Sequence, residues 1–179
     1  MGNKLALTVV LALLQVLLAD GWQRPEATAA KRAEVIQAAR EVMEKARYCA
    51  LITVDDDGQP QARVVDPFAP EEDLTVWIAT KPVTRKVGQI TKDPRVTLFY
   101  FDPEGLGYVT LLGKADIVKD PVEKAKRWKE DWSAFYDDRN RGDDYLLIRV
   151  TPSRLEIMSF GHGLLNDPKT WRPVTIDLR

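Results

Sequence analysis

The sequence predicts a mainly β protein with helices at its flanks (α+β), an antiparallel barrel carrying appended helices. Three observations lead there. Five or six short strand-like segments are linked by turn residues such as Asp55 to Gly58 and Asp102 to Gly107. Most links between them are too short for helical crossovers, and no Gly-x-Gly-x-x-Gly follows a strand, which disfavours a parallel doubly wound sheet. Helical periodicity occurs only before, beside and after the strands.

The elements follow in order. Lys4 precedes an apolar run from Leu5 to Ala19, then Asp20, Gly21 and Trp22. A positive start, a short apolar stretch and small residues at Ala19 and Gly21 predict a secretory signal peptide over residues 1–21, or 1–19 if cleavage falls earlier. The run is shorter than the ~20 apolar residues that span a bilayer. Residues 22–32 read as a linker. From Ala33, the positions Ile36, Ala39, Met43 and Ala46, flanked by Val35 and Val42, predict a helix to about Lys45. Cys49 to Val54 and Gln61 to Val65 predict a hairpin, turned at Asp55-Asp56-Asp57-Gly58. The triple Asp lacks the later Glu and flanking helices of a calcium loop and is read as a turn. Leu74 to Ala79 predicts a third strand, Pro82 to Thr91 a short helix, and Arg95 to Phe101 a fourth strand. Tyr108 to Val118 is the fifth, with Gly113 marking a bulge or close approach. Asp120-Pro121 opens a helix expected to present Trp128, Trp132 and Phe135 on one face, and Asp137 to Asp144 reads as a polar loop. Tyr145 to Val150 and Leu155 to Met158 are expected as separate strands around Thr151-Pro152, with a further strand at Val174 to Leu178.

Composition excludes several functions. The chain has 179 residues, 26 Lys+Arg and 27 Asp+Glu, so there is no basic field for nucleic acid and any anion site must be local. The only cysteine, Cys49, forms no intramolecular disulfide and reads as a buried thiol. The sole histidine, His162, has no second His or Cys with which to share a metal, and no Gly-x-Ser-x-Gly elbow is present.

The chemistry concentrates between Trp77 and Lys86. A strand ends at Thr80, Lys81-Pro82 turns the chain, and Thr84, Arg85 and Lys86 open a helix. Hydroxyls, cations and the free N–H groups of a helix start together make a phosphate site. Thr84 as a simple N-cap with the cations on a solvated face is the other reading of the same spacing.

The ordered set Ala50-Leu-Ile-Thr-Val54, Gln61-Ala-Arg-Val-Val65, Trp77-Ile-Ala-Thr80, Arg85-Lys86, Gln89-Ile90, Asp93-Pro-Arg-Val96, Tyr108 to Ala115 and Tyr145 to Pro152 resembles the pyridoxamine 5′-phosphate oxidase-like family of FMN-binding split barrels, in its general stress protein 26 branch. The resemblance covers residues 33–158. It implies a split β-barrel of about six strands and a homodimer that binds FMN at the subunit interface. It also implies oxidoreductase chemistry on a small molecule, carried by the flavin with no assigned catalytic side chain. A C-terminal tail, 159–179, would pack on the barrel or the dimer partner. By the same resemblance Arg63, Val64 and Val65 lie beside the flavin and Ala79, Thr80 and Lys81 at the strand end. Thr84, Arg85 and Lys86 would grip the phosphate, and Tyr108 and Trp171 are candidate ring contacts. Tyr108 stands where the oxidases carry a Gln. The Arg-x-His pair that closes the pyridoxamine phosphate pocket is missing, so vitamin B6 oxidation is not expected. Relatives bind deazaflavin or haem as well, which leaves a non-enzymatic ligand-binding barrel as the alternative. With the signal peptide, the expected location is periplasmic or secreted, with no stable membrane association after cleavage.

Overall fold

A computed structural model describes residues 29–136 and 143–178. The expected signal peptide, most of the linker and most of the 137–144 loop lie outside the described residues. The chain divides into two units, Met1–Glu34 and Val35–Arg179, and the architecture below is that of the second.

Alternation builds the sheet. In β1 (Cys49–Val54) every second residue is buried, and β4 (Arg95–Asp102) repeats the pattern with Val96, Leu98, Tyr100 and Asp102 inward. The seven strands pair only antiparallel, in the order β2 (Pro60–Val65), β1, β4, β5 (Gly107–Val118), β6 (Leu146–Ser159), β3 (Val76–Thr80). β7 (Val174–Asp177) pairs with the far end of β6, beyond β3. β2 and β3 end the pairing path, so the barrel is split between them.

Helix α1 (Ala29–Ala46) closes the inner face. Val35, Ala38, Ala39, Val42 and Met43 join Leu51, Leu98, Leu111, Leu155 and Ile157 in the main core. Each fully buried Leu or Ile there stabilises by about 1.5–3 kcal/mol, and Leu98→Ala would cost about 2–5 kcal/mol. The helix begins at Ala29, four residues before the sequence pattern does, because Ala29 and Ala30 favour helix without an apolar stripe. Its buried stripe is also turned: Ala38 is buried, whereas Ile36 and Ala46 are only partly so.

Three elements differ from the sequence expectation. The two late strands are one, β6, running through Pro152. A register shift at Leu112/Gly113 leaves Ser153 as the extra residue of a bulge, and that is where a strand tolerates a residue without an N–H. Gly113 is a close approach as well, since a Cβ there would lie 2.3 Å from the Thr151 carbonyl oxygen. The sheet has seven strands once β7, the strand expected at Val174 to Leu178, is included. Finally, the helix opened by Asp120 is short. α2 (Arg85–Lys92) precedes it, and α3 (Pro121–Lys126) stops at Arg127, followed by a 3-10 turn over Glu130–Ala134. This break changes the phase of the aromatic face. Trp128 and Trp132 still meet edge-on at 6.2 Å, but Phe135 is 66% exposed and Tyr136 takes the inward place.

Those rings form a second apolar cluster on the outer side of β3 and β6. Trp77, Trp132, Tyr136, Tyr145 and Leu147 are its buried members. Arg127, itself buried, lies 3.6 Å over the Trp77 ring and donates to Glu71 at 2.7 Å and to Glu123. Glu71 also accepts the Trp77 indole N–H at 2.9 Å. At the other end of the sheet, Ser159 hydrogen-bonds the His162 Nδ1 at 2.8 Å, and His162 Nε2 meets Glu41 of α1 at 2.9 Å.

Candidate functional site

The site is built where β3 ends and α2 begins. Thr80 is buried, and its hydroxyl lies 3.2 Å from that of Thr84. Thr84 holds the N-cap position of α2 with extended backbone, yet its side chain makes no capping bond. It donates instead to the Lys81 carbonyl at 2.9 Å, which fixes the turn. Among the described residues no acceptor meets the Arg85 and Lys86 backbone N–H groups. The helix start thus keeps its donors and its positive dipole end for something else.

Arg63 comes to the same place from the sheet. It sits opposite Leu51 in the β1–β2 register, on the inner face, and its guanidinium donates to the Leu51 carbonyl at 3.2 Å. It also donates to the Thr53 hydroxyl at 2.6 Å and to Gln89 Oε1 at 2.9 Å. Gln89 lies on α2, three and four residues beyond Lys86 and Arg85, which places it on their face of the helix.

The electrostatics are those of crowded cations. Burial, with the Arg85 charge added, holds the Arg63 guanidinium below its ordinary range. Burial first and Arg63 second do the same to the Lys86 ammonium. Among the described residues none of Arg63, Arg85 and Lys86 makes an ion pair. Asp55 is the nearest acid with an influence. Its carboxyl is held low chiefly by the Gln59 N–H, with Gln61, Asp57 and Arg85 adding to it. A cleft of about 330 Å³ opens here, lined by Asp55, Asp56, Asp57, Arg85, Gln89 and Lys92 among others. The Asp55 carboxylate itself is occupied as a turn acceptor, bonding the N–H groups of Asp57 and Gln59.

The remaining predicted residues spread out. Val64 is 74% exposed on the edge strand β2, whereas Val65 turns inward and packs on the core. Ala79 packs on the aromatic cluster and Lys81 is half-buried. Tyr108 opens β5 on the outer sheet face, opposite Phe101 and with its ring 5.8 Å from that of Phe99. It lies on the other face of the sheet from Arg63. Trp171 is 77% exposed, with no hydrogen bond or ring contact to the cation cluster among the described residues. Within one chain, then, Thr80, Thr84, Arg85, Lys86 and Arg63 come together, and Tyr108 and Trp171 stand apart. Thr53 was not foreseen as a site residue, nor Gln89 as the group that holds Arg63. Nothing in the local spacing signals a strand hydroxyl and a helix amide that meet across 36 residues.

The other polar sites do different work. Burial pushes the Cys49 thiol up to about 12, so it stays protonated beside the buried Tyr100 ring. Both His162 nitrogens are engaged, by Ser159 and Glu41.

Seven antiparallel strands with flanking helices define the class of α+β split barrels. The Pyridoxamine 5′-phosphate oxidase family profile matches residues 35–159, and the chain belongs to that family. Similar solved structures agree on the fold. A protein related to general stress protein 26 from Clostridium acetobutylicum superimposes with a TM-score of 0.67 at 16% identity, over 81% of this chain and 95% of that one. General stress protein 26 from Bacillus anthracis gives 0.61 at 22% identity, over 70% and 94%. A pyridoxamine 5′-phosphate oxidase-related, FMN-binding protein from Nostoc punctiforme gives 0.58 at 14%, over 88% and 98%. No curated protein sequence matches the chain.

Proposed function

We propose that this protein binds FMN and acts as an oxidoreductase on a small molecule. The observation that carries the reading is the convergence of Arg63, Arg85 and Lys86 on the uncapped start of α2, with no ion pair among the described residues. A phosphate monoester fits that donor set: a dianion relieves the repulsion among the cations and accepts the free N–H groups. Val64, exposed on the edge strand β2, would hold the flavin ring. Bound there, the isoalloxazine supplies hydride or electron transfer, and this chain's residues bind and orient it.

A homodimer goes with this reading. The outer sheet face exposes Val64, Phe99 and Phe101 beside Tyr108, an apolar patch of the kind that covers a partner. In such a dimer Tyr108 and Trp171 reach a flavin held by the other copy. The haem alternative is weaker, because its one candidate axial ligand, His162, has both ring nitrogens engaged and must give up its bond to Ser159 or to Glu41 to free one for iron. Deazaflavin remains a second phosphate-bearing candidate for the same cluster. We also propose export, with removal of residues 1–21 or 1–19. The intact mass of the secreted chain tests it, and a chain retained in the cytoplasm at full mass refutes it.

The primary test is the absorption spectrum after incubation with FMN and removal of free ligand. Bands near about 370 and 450 nm, lost in Arg85→Ala with Lys86→Ala, support the site. A flat visible spectrum refutes the FMN reading. Equilibrium ultracentrifugation of wild type and Phe101→Glu tests the dimer, which the variant is expected to dissociate.

A further inference from the structure

Arg63 differs from the other cations because it reaches the cluster from the sheet and has to be held there. Its holders are wired in only one way. The Thr53 hydroxyl accepts from Arg63 Nη1 at 2.6 Å, so its single proton goes to the other close acceptor, Gln89 Oε1, at 2.6 Å. Oε1 also receives Arg63 Nη2 at 2.9 Å, so it is the amide oxygen, and the amide NH₂ is directed away from both. Thr53 is fully buried, so its hydroxyl is satisfied by these protein groups. Among the described residues every acceptor that holds the guanidinium is neutral: a carbonyl, a hydroxyl and an amide. A carboxylate at position 89 would sit within hydrogen-bond distance of Nη2 and absorb the charge internally.

We propose that Thr53 and Gln89 are positioning residues, a neutral clamp that fixes the Arg63 guanidinium while leaving its charge for a phosphate monoester, so that Gln89 sets the preference for phosphorylated over unphosphorylated ligand. This rests on the reading of the cluster as a phosphate site. The clamp accounts for three facts together: the inward Arg on an edge strand, the buried Thr opposite Gln61 on the same sheet face, and the amide one turn into α2.

Titration of the full chain with FMN and with riboflavin tests it. Wild type is expected to hold FMN at least tenfold more tightly. Gln89→Glu keeps shape and adds charge; it is expected to lower FMN affinity tenfold or more and leave riboflavin unchanged. Thr53→Val is expected to lower the FMN-to-riboflavin ratio about threefold. A merely structural role would weaken both ligands alike. The second readout needs no ligand. In ¹⁵N spectra of the free protein the Arg63 guanidinium, assigned by its loss in Arg63→Lys, rotates slowly in wild type and faster in Gln89→Leu and Thr53→Val. An unchanged ratio in Gln89→Glu, or guanidinium signals that are the same in all three proteins, overturns the clamp. If wild type binds riboflavin as well as FMN, the phosphate reading and the specificity role fall. The positioning role is then decided by the guanidinium signals alone.

Discussion

Arg127 and Arg63 are both drawn into the protein, and they are treated in opposite ways. Arg127 is enclosed by two carboxylates and an indole face: Glu71 at 2.7 Å, Glu123, and Trp77 at 3.6 Å. Its charge is fully used in joining α3 to the loop before β3. Among the described residues the acceptors of Arg63 are the Leu51 carbonyl, the Thr53 hydroxyl and the Gln89 amide. The first arrangement closes a charge inside the fold, and the second keeps one available. Burial of an arginine therefore says little about its role until the charge of its neighbours is counted.

The comparison is broken most directly at Arg127. Arg127→Met removes both ion pairs and the cation–π contact, and should lower stability by about 3 kcal/mol, read as a reduced urea midpoint. That is the low end for a buried pair, because Glu71 and Glu123 retain access to water. Arg63→Met should lower stability by less than about 1 kcal/mol in the same urea measurement, since Thr53 and Gln89 stay bonded to each other. Its effect should appear in FMN affinity instead, as a loss of tenfold or more by fluorescence titration, about 1.4 kcal/mol or more. Equal stability losses at the two arginines would erase the distinction.

A pH titration sharpens it. The Lys86 ammonium is held below its ordinary 10.5, by burial first and by Arg63 second. Between the lowered value and the ordinary one, the folded chain binds fewer protons than the unfolded chain. Stability of the free protein should therefore rise with pH across that window. FMN affinity should fall across the same window, because the cation that holds phosphate is being lost. Urea midpoints and FMN titrations at several alkaline pH values check the two opposite slopes. The smallest effect belongs to a charge pair of a third kind, Arg95 with Asp93, where the arginine is 75% exposed. Asp93→Asn should leave the midpoint unmoved at moderate salt.

The strands were legible because their signals are local: Cys49 to Val54 is a short apolar run closed by a turn, and Arg95 to Leu98 alternates polar with apolar. The cluster of hydroxyls and cations between Thr80 and Lys86 was legible for the same reason, as its members lie within a few positions of each other. What the sequence hid depends on distant contacts. The helix opened by Asp120 stops at Arg127 because that side chain turns inward to Glu71, 56 residues away, and the expected Trp128–Trp132–Phe135 face fails with it. Pro152 reads as a strand breaker until the bulge at Ser153 is set against Gly113. The Arg63 holders are 10 and 26 residues from it, on a neighbouring strand and a helix.

One consequence concerns observation. With a single histidine in the chain, the imidazole proton resonances of the protein all come from His162. That ring links Ser159 at the end of β6 to Glu41 on α1. Its chemical shift is therefore an unassigned-spectrum reporter, readable without isotope labelling, of whether the segment that carries Trp171 begins from a docked or a detached position.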